Sequence, residues 1–243
     1  ALREIIPPQG LEVPTFLRIA IQLAQALGEV HRKGVIHKDI KPRNIVVNRE
    51  SLVTKLIDFG ISSQLSRENQ EILSPNMLEG TLAYMSPEQT GRMNRAIDYR
   101  TDFYSLGVTF YEMLTGALPF EATDAMELVH CHIAQTPQPP HERRPDIPKS
   151  LSDLVMKLLE KTAEKRYQSA YGLLADLQKC LTAWESTGAI EAFTMGERDV
   201  SARFEIPQKL YGREAEIDQI LSAFDRICDS KQEVEHGSEG AIR

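Results

Sequence analysis

Residues 37–44 read His-Lys-Asp-Ile-Lys-Pro-Arg-Asn, and residues 58–60 read Asp-Phe-Gly. Two short apolar runs lie between these polar stretches, at 45–47 and 52–57, and a polar turn separates the two runs. Short runs rich in valine, isoleucine and leucine, bounded by polar turns, predict the two strands of a hairpin. The hairpin therefore has a stretch with acid, base and amide side chains before its first strand and an acid directly after its second.

The order and spacing of these two stretches resemble the catalytic loop and the Asp-Phe-Gly motif of protein kinases. Either stretch alone is weak, because an Asp-Phe-Gly tripeptide occurs by chance in many proteins and a single aspartate beside a strand is commonly a turn former. Their combination across a two-strand hairpin is specific. The resemblance implies the large lobe of a protein kinase, which transfers the γ-phosphate of ATP to a protein hydroxyl.

The resemblance assigns roles to four side chains. Asp39 corresponds to the catalytic base, which accepts or orients the proton of the substrate hydroxyl. Asn44 and Asp58 correspond to the two magnesium ligands, and their hard oxygen donors suit Mg²⁺ shared with ATP phosphates. Lys41 corresponds to the lysine of serine/threonine kinases that neutralises charge on the transferred phosphoryl group of ATP. The alternative for Lys41 is a solvated cation in a loop.

A second region of resemblance lies further along the chain. Residues 80–88 read Gly-Thr-Leu-Ala-Tyr-Met-Ser-Pro-Glu, similar to the end of a kinase activation segment, with Ser86 where many members have alanine. In the family the residue matching Glu88 pairs with a buried arginine, and Arg166 lies at the matching position. Removing one partner of such a pair typically costs about 3–5 kcal/mol. The alternative for Arg166 is an exposed surface charge.

The same resemblance implies five supporting residues. His37, Phe59 and Gly60 complete the two motifs. Asp102 corresponds to the aspartate that accepts hydrogen bonds from the catalytic-loop backbone, although the helix dipole alone favours an acid in a first helical turn. Thr81 corresponds to the threonine that bridges the catalytic aspartate and lysine; otherwise it is a loop hydroxyl and a candidate phosphorylation site.

The remaining pattern is mainly helical. Apolar residues at spacings of three and four predict helices at 14–33 and 100–114, each ended by a glycine, and residues 62–79 read as a long loop. Further helices are predicted at 123–134, 150–161 and 168–183. The expected fold class is α+β, mainly α: a protein-kinase-like large (C-terminal) lobe with a small β-hairpin.

Three regions are expected along the chain. The kinase resemblance covers about residues 1–184, and fading periodicity predicts a linker at 185–207. Residues 208–243 are expected to contain a partial helical segment. Residues 204–214 resemble the entry to an AAA-type ATPase, as fused behind kinase domains in large bacterial, notably cyanobacterial, signalling proteins. That resemblance implies downstream ATPase and sensor domains of the same chain as partners. The alternative is a surface helix.

The sequence motifs that mark the small lobe of a kinase do not occur in this sequence. No Gly-rich phosphate loop and no small-lobe strand lysine occur in the sequence. We therefore expect the small lobe to be absent from these residues and to precede Ala1. The chain alone is expected to be a poor enzyme.

Bulk composition excludes several other classes. A formal charge of −7 and a pI near 5.5 argue against nucleic acid or an anionic membrane surface as a partner. No apolar run reaches the roughly 18 residues of a membrane helix. Three widely spaced cysteines indicate no disulfide framework and favour the cytoplasm. The His-Cys-His run at 130–132 is not expected to bind a metal, because adjacent helical side chains diverge.

Competing functions can be ranked from the same residues. The first is a serine/threonine protein kinase that uses ATP and Mg²⁺ on a protein substrate. The second is a pseudokinase or scaffold module of a multidomain signalling protein, but pseudokinases usually lack one of the residues matching Asp39, Asn44 and Asp58. A small-molecule kinase of related fold fits less well, because 80–88 resembles a peptide-docking segment. We predict the protein kinase.

Overall fold

The computed structural model describes residues 1–60, 63–64, 82–92, 96–122 and 124–200. In this part of the chain the helices are α1 (Val13–Arg32), α2 (Arg100–Thr115), α3 (Ala125–Ala134), α4 (Pro140–Arg143), α5 (Lys149–Leu158) and α6 (Ala170–Thr187). The strands are β1 (Val35–Ile36), β2 (Ile45–Val47), β3 (Thr54–Leu56) and β4 (Ser63–Gln64). The pairs β1–β4 and β2–β3 form two separate antiparallel sheets.

Helix α2 lies at the centre of the fold, and all 16 of its residues are buried. Helices α1 and α5 both pack against it. Phe16 of α1 meets Phe110 of α2 edge to face, with ring centroids 5.2 Å apart. The sequence predicted this helix with a single apolar face. Because every face is covered instead, its polar residues need partners inside the protein.

The β2–β3 hairpin is fixed to helix α1. Gln22 of α1 donates from Nε2 to the carbonyl of Leu52 at 2.9 Å, and its Oε1 accepts from the amide of Thr54 at 3.0 Å. Leu52 has a φ of 55°, so the predicted strand at 52–57 begins only at Thr54. The hairpin therefore has a defined position on the helical body.

The predicted helices are present, with shifted ends. Helix α5 stops three residues before the predicted 161, and α6 extends four residues beyond the predicted 183. Glycines end α2 and α6 in the left-handed region, at Gly116 (φ 74°) and Gly188 (φ 69°). The two-residue strands β1 and β4 and the single turn α4 were not predicted, because elements this short leave no periodic signal.

The chain continues along the helical body after α6. Ile190 is 9% exposed, and Phe193 and Met195 pack against the core. We call residues 189–200 the strap. The strap falls within the predicted linker at 185–207, whose end lies outside the described residues.

The predicted ATPase start at 208–243 and most of the predicted loop at 62–79 also lie outside the described residues. None of the described helices has the length and apolar character needed to cross a membrane.

Candidate active site

The loop that joins β1 to β2 gathers Asp39, Lys41 and Asn44. Nζ of Lys41 lies 2.7 Å from Oδ2 of Asp39, and Nδ2 of Asn44 donates to the same oxygen at 2.8 Å. Oδ1 of Asp39 is buried and has no hydrogen-bond partner among the residues that the structure describes. One carboxylate oxygen is thus held by two neighbours, and the other is left as an acceptor.

The orientation of the Asn44 amide is fixed by the same loop. A 3-10 turn at Pro42–Asn44 directs the chain back towards Asp39. Nδ2 of Asn44 donates to both the carbonyl and the carboxylate of Asp39, at 2.9 and 2.8 Å. Both amide hydrogens are therefore engaged, which leaves Oδ1 of Asn44 as the atom able to bind a cation.

The hairpin brings Asp58 to the same end of the sheet as Asn44. The amide of Ile57 donates to the carbonyl of Asn44 at 2.9 Å, and Asp58 follows directly. Asp58 is exposed, and its Oδ1 accepts from the amide of Gly60 at 3.3 Å. Its φ of 64° is uncommon for a residue other than glycine, and such backbone positions cluster at functional sites.

His37 connects the catalytic-loop side of the site to the Asp-Phe-Gly side. Its ring is fully buried; Nδ1 accepts from the amide of Asp39 at 3.3 Å, and Nε2 donates to the carbonyl of Ile57 at 3.2 Å. The neutral ring with its hydrogen on Nε2 satisfies both bonds. The ring centroid also lies 4.6 Å from that of Phe59. Both motifs therefore contact one side chain.

Asp102, in the first turn of α2, fixes the start of the loop that joins β1 to β2. Its fully buried carboxylate accepts from the amides of His37 at 2.9 Å and Lys38 at 2.8 Å, and it also bonds Nε2 of His31 at 2.8 Å. Lys38 has a φ of 67°. The carboxylate thus stabilises an otherwise unfavourable backbone turn directly before Asp39.

Arg166 and Glu88 form a buried ion pair. The guanidinium donates to both oxygens of Glu88, at 2.6 and 2.9 Å, and the two residues are 1% and 4% exposed. Its other donors reach the carbonyls of Glu160, Lys161 and Arg100. All five N–H groups of Arg166 therefore have acceptors, as burial of a charge requires.

The protein kinase domain family matches residues 6–176 of this chain. The chain belongs to the protein kinase domain family. The matched region contains the loop at 37–44, the Asp-Phe-Gly motif and both partners of the buried ion pair.

Relatives of this kinase domain include bacterial and eukaryotic proteins. A probable serine/threonine-protein kinase of Clostridium perfringens is 41% identical over 73% of this chain and 25% of its own length. Serine/threonine-protein kinase PknB of Mycolicibacterium smegmatis is 36% identical over 72% of this chain and 28% of its own. Hybrid signal transduction histidine kinase G of Dictyostelium discoideum is 31% identical over 92% of this chain and 9% of its own. The chain therefore spans less than a third of these curated relatives.

The segment that resembles the end of a kinase activation segment includes one predicted residue that is not described, and it contacts one residue that was missed. Thr81 lies outside the described residues. Glu112 of α2, which the sequence analysis missed, is fully buried; it accepts a hydrogen bond from the hydroxyl of Tyr84 and pairs with Arg3. Burial raises the pKa of Tyr84 to about 12. The signal for Glu112 was a lone acid between apolar residues of the predicted helix at 100–114.

A second missed group lies where α3 meets α2. Nδ1 of His132 bonds the hydroxyl of Tyr104 at 2.9 Å, and Nζ of Lys161 donates to the carbonyl of Cys131 at 3.2 Å. Burial, aided by the ammonium of Lys161, lowers the pKa of His132 to about 4. His130 is exposed whereas Cys131 and His132 are buried, so these three neighbours do not face a common point.

Proposed function

We propose that this kinase domain transfers the γ-phosphate of ATP to a serine or threonine hydroxyl of a protein in signal transduction. The observation that carries the proposal is the asymmetric environment of the Asp39 carboxylate. One oxygen is fixed by Lys41 and Asn44, and the other is buried without a partner among the described residues. A general base needs an acceptor oxygen that is oriented but not already engaged.

The proposed reaction uses that oxygen as the proton acceptor. Oδ1 of Asp39 takes the proton of the substrate hydroxyl while the hydroxyl oxygen bonds to the γ-phosphorus. The bond from the γ-phosphorus to the β–γ bridging oxygen breaks, and ADP leaves. The ammonium of Lys41, next to Asp39, stabilises negative charge on the transferred group.

Asn44 and Asp58 are the proposed magnesium ligands, and their chemistry fits the ion. Asn44 can present only its oxygen, because its nitrogen is bound to Asp39. Asp58 has an exposed carboxylate at the same end of the hairpin. When bound, Mg²⁺ neutralises phosphate charge and fixes the triphosphate.

An exposed apolar patch beside the site supports the proposal that a small lobe covers it. Val46, Val53, Ile57 and Phe59 are each between 42% and 50% exposed. These exposed apolar side chains lie on or next to the short β2–β3 hairpin, and such a group favours a partner surface. We propose that a small lobe with the ATP-binding lysine, whose motifs do not occur in residues 1–243, supplies that surface.

We also propose that this domain is part of a larger cytoplasmic signalling protein in which residues 208–243 begin an AAA-type ATPase domain. The match to the Dictyostelium histidine kinase supports the larger context, since it covers 92% of this chain and so extends beyond the family match at 6–176. The resemblance of 204–214 supports the ATPase.

The test of the kinase proposal measures phosphate incorporation from magnesium ATP by the complete natural protein. Asp39→Asn and Asp58→Ala are expected to lose about 10²-fold or more of the wild-type rate, because each removes a group needed in the transition state. Asp153→Asn is the matched control; it removes a carboxylate of α5 whose described partner is Lys149, at 2.6 Å.

Equal incorporation by the wild type, Asp39→Asn and Asp58→Ala would contradict the kinase proposal and favour a scaffold function. Circular dichroism of each variant confirms that the fold is retained, so that a lost rate reports on the chemistry.

A further inference from the structure

The strap is attached to the kinase domain by the carboxylate of Asp199. Oδ2 of Asp199 accepts from the amide of Gln168 at 2.7 Å, and Oδ1 accepts from the amide and the hydroxyl of Ser169, both at 2.8 Å. Ser169 is the N-cap of α6, and its hydroxyl oxygen accepts from the amide of Gly172 at 3.0 Å. A negative charge at a helix N-terminus is favoured by the helix dipole. The strap therefore completes the cap of α6.

Two further features show that this attachment is built into the fold. A Cβ atom at Gly172 would lie 2.5 Å from Cβ of Asp199, so only glycine permits the strap to lie this close. The amide of Gly196 donates at 2.7 Å to the buried carboxylate of Asp176, which also accepts from the hydroxyl of Tyr167 at 2.6 Å. The strap thus has two carboxylate-mediated contacts, at the start and in the middle of α6.

Gln168, whose amide is bound by Asp199, also forms hydrogen bonds to the loop that contains Arg166. Nε2 of Gln168 lies within hydrogen-bond distance of the carbonyls of Ala163, Glu164 and Arg166, at 3.0, 3.2 and 2.7 Å. Its Oε1 accepts from Arg100 at 2.8 Å.

The backbone of Gln168 is anchored to α2 as well as to the strap. Its carbonyl accepts from the hydroxyl of Tyr99 at 2.8 Å, while its amide is the group bound by Asp199. Two residues earlier, Arg166 holds Glu88, which lies in the 3-10 turn Pro87–Thr90. A continuous set of hydrogen bonds therefore leads from the strap to the peptide-docking segment.

We propose that Asp199 is a positioning residue for phosphoryl transfer: through Gln168 and Arg166 it fixes the segment at 82–90 against which the protein substrate docks. The inference rests on the proposed kinase function. It makes the strap part of the functional kinase domain rather than a passive connection.

The first test measures amide hydrogen exchange in the complete natural protein and does not depend on activity. Asp199→Asn keeps the size of the side chain but removes its charge and one acceptor. We expect the amides of Gln168 and Ser169 to exchange about tenfold faster or more, as loss of a charge-assisted hydrogen bond implies. The reporter for the docking segment is the amide of Gln89, which follows Glu88 and donates to the carbonyl of Ser86 at 3.1 Å; it is expected to exchange faster as well. Glu197→Gln is the matched control, because Glu197 is an exposed strap acid 3.7 Å from Lys179.

The second test separates the two substrates, with myelin basic protein as the phosphate acceptor. Asp199→Asn is expected to raise KM for this protein about fivefold or more, the low end of coupling between linked sites, with KM for ATP unchanged. Gly172→Ala displaces Asp199 sterically while favouring the helix, so it should reproduce the effect although it keeps the carboxylate.

The possible results separate the attachment of the strap from its positioning role, and both from the kinase function. Faster exchange at Gln168 and Ser169 without a response at Gln89 or in KM overturns the positioning role and leaves a stabilising strap. Unchanged exchange at all three amides overturns the attachment itself. Faster exchange that includes Gln89, in a protein that transfers no phosphate in any form, supports the coupling and refutes the kinase function.

Discussion

At the scale of single residues, the candidate site depends on where each buried charge finds its partner. Asp39 is only 13% exposed, and a carboxylate at that depth needs a cation or hydrogen-bond donors to offset its desolvation. Lys41 and Asn44 supply these on one oxygen only. The same rule explains Arg166, whose every donor is bound. The contacts of Lys41 and Asn44 that compensate the charge of Asp39 thus also orient its carboxylate for the proposed chemistry.

His132 leads to a prediction about stability and pH. Its pKa is about 4 in the folded protein, against 6.5 for an ordinary histidine. As the pH falls below 6.5, the unfolded chain binds a proton that the folded protein does not, so stability is lost progressively down to pH 4. Between pH 7 and pH 5 this loss amounts to about 2 kcal/mol of unfolding free energy.

Urea unfolding of the wild type and of His132→Asn at both pH values measures this loss. The wild type is expected to lose about 2 kcal/mol more than the variant, because asparagine does not titrate. The charged groups around His132 do not interfere: burial lowers the pKa of Lys161 only to about 8, and burial raises that of Tyr104, so neither titrates in this window. Parallel losses in the two proteins would show that His132 is not buried as a neutral ring.

At the scale of elements, the contact between α2 and α5 depends on the absence of one side chain. A Cβ atom at Gly107 would lie 2.7 Å from Cβ of Leu158, closer than packed carbon atoms approach. Gly107→Ala is therefore expected to separate the two helices and to destabilise the domain by about 1–3 kcal/mol. The central position of α2, under the catalytic loop, makes this contact important for the site.

Gly28→Ala is the matched control for this prediction. It places a Cβ atom 3.4 Å from Cβ of Ala170, an ordinary contact between α1 and α6, and should stabilise by about 0.5–1 kcal/mol through helix propensity. Thermal unfolding of both variants measures the difference. Equal shifts of Tm in the same direction would contradict the described packing of α2.

The elements also show what sequence patterns can and cannot predict. Helices α1 and α2 have 16 or more residues and clear apolar periodicity, so their bounds were predicted within one residue. The burial of α2 on all sides was not predicted, because the spacing of apolar residues does not show what packs against the polar face of a helix. The attachment of the strap was also missed, because the glycines and charged residues at 188–199 are typical of a linker. The structure shows that Asp199 binds the N-terminal end of α6.

At the scale of the whole molecule, the order of two local motifs was enough to indicate the family and the candidate site. Asp39, Asn44 and Asp58 lie within 20 residues of one another. Asn44 contacts Asp39 directly, and the short hairpin places Asp58 at the same end of the sheet as Asn44. The pair Glu88–Arg166 spans 78 residues, and only the resemblance to kinases predicted it. Glu112, His132 and Asp199 belong to no local motif, because their partners lie far away in sequence and are chosen by packing.

The most direct test of the central claim is a crystal structure of the complete kinase domain with magnesium and a non-hydrolysable ATP analogue. We expect Mg²⁺ about 2.1 Å from Oδ1 of Asn44 and from the carboxylate of Asp58, with Oδ1 of Asp39 directed at the position of the substrate hydroxyl. A triphosphate bound elsewhere, or Asn44 and Asp58 directed to separate clefts, would contradict the proposed site.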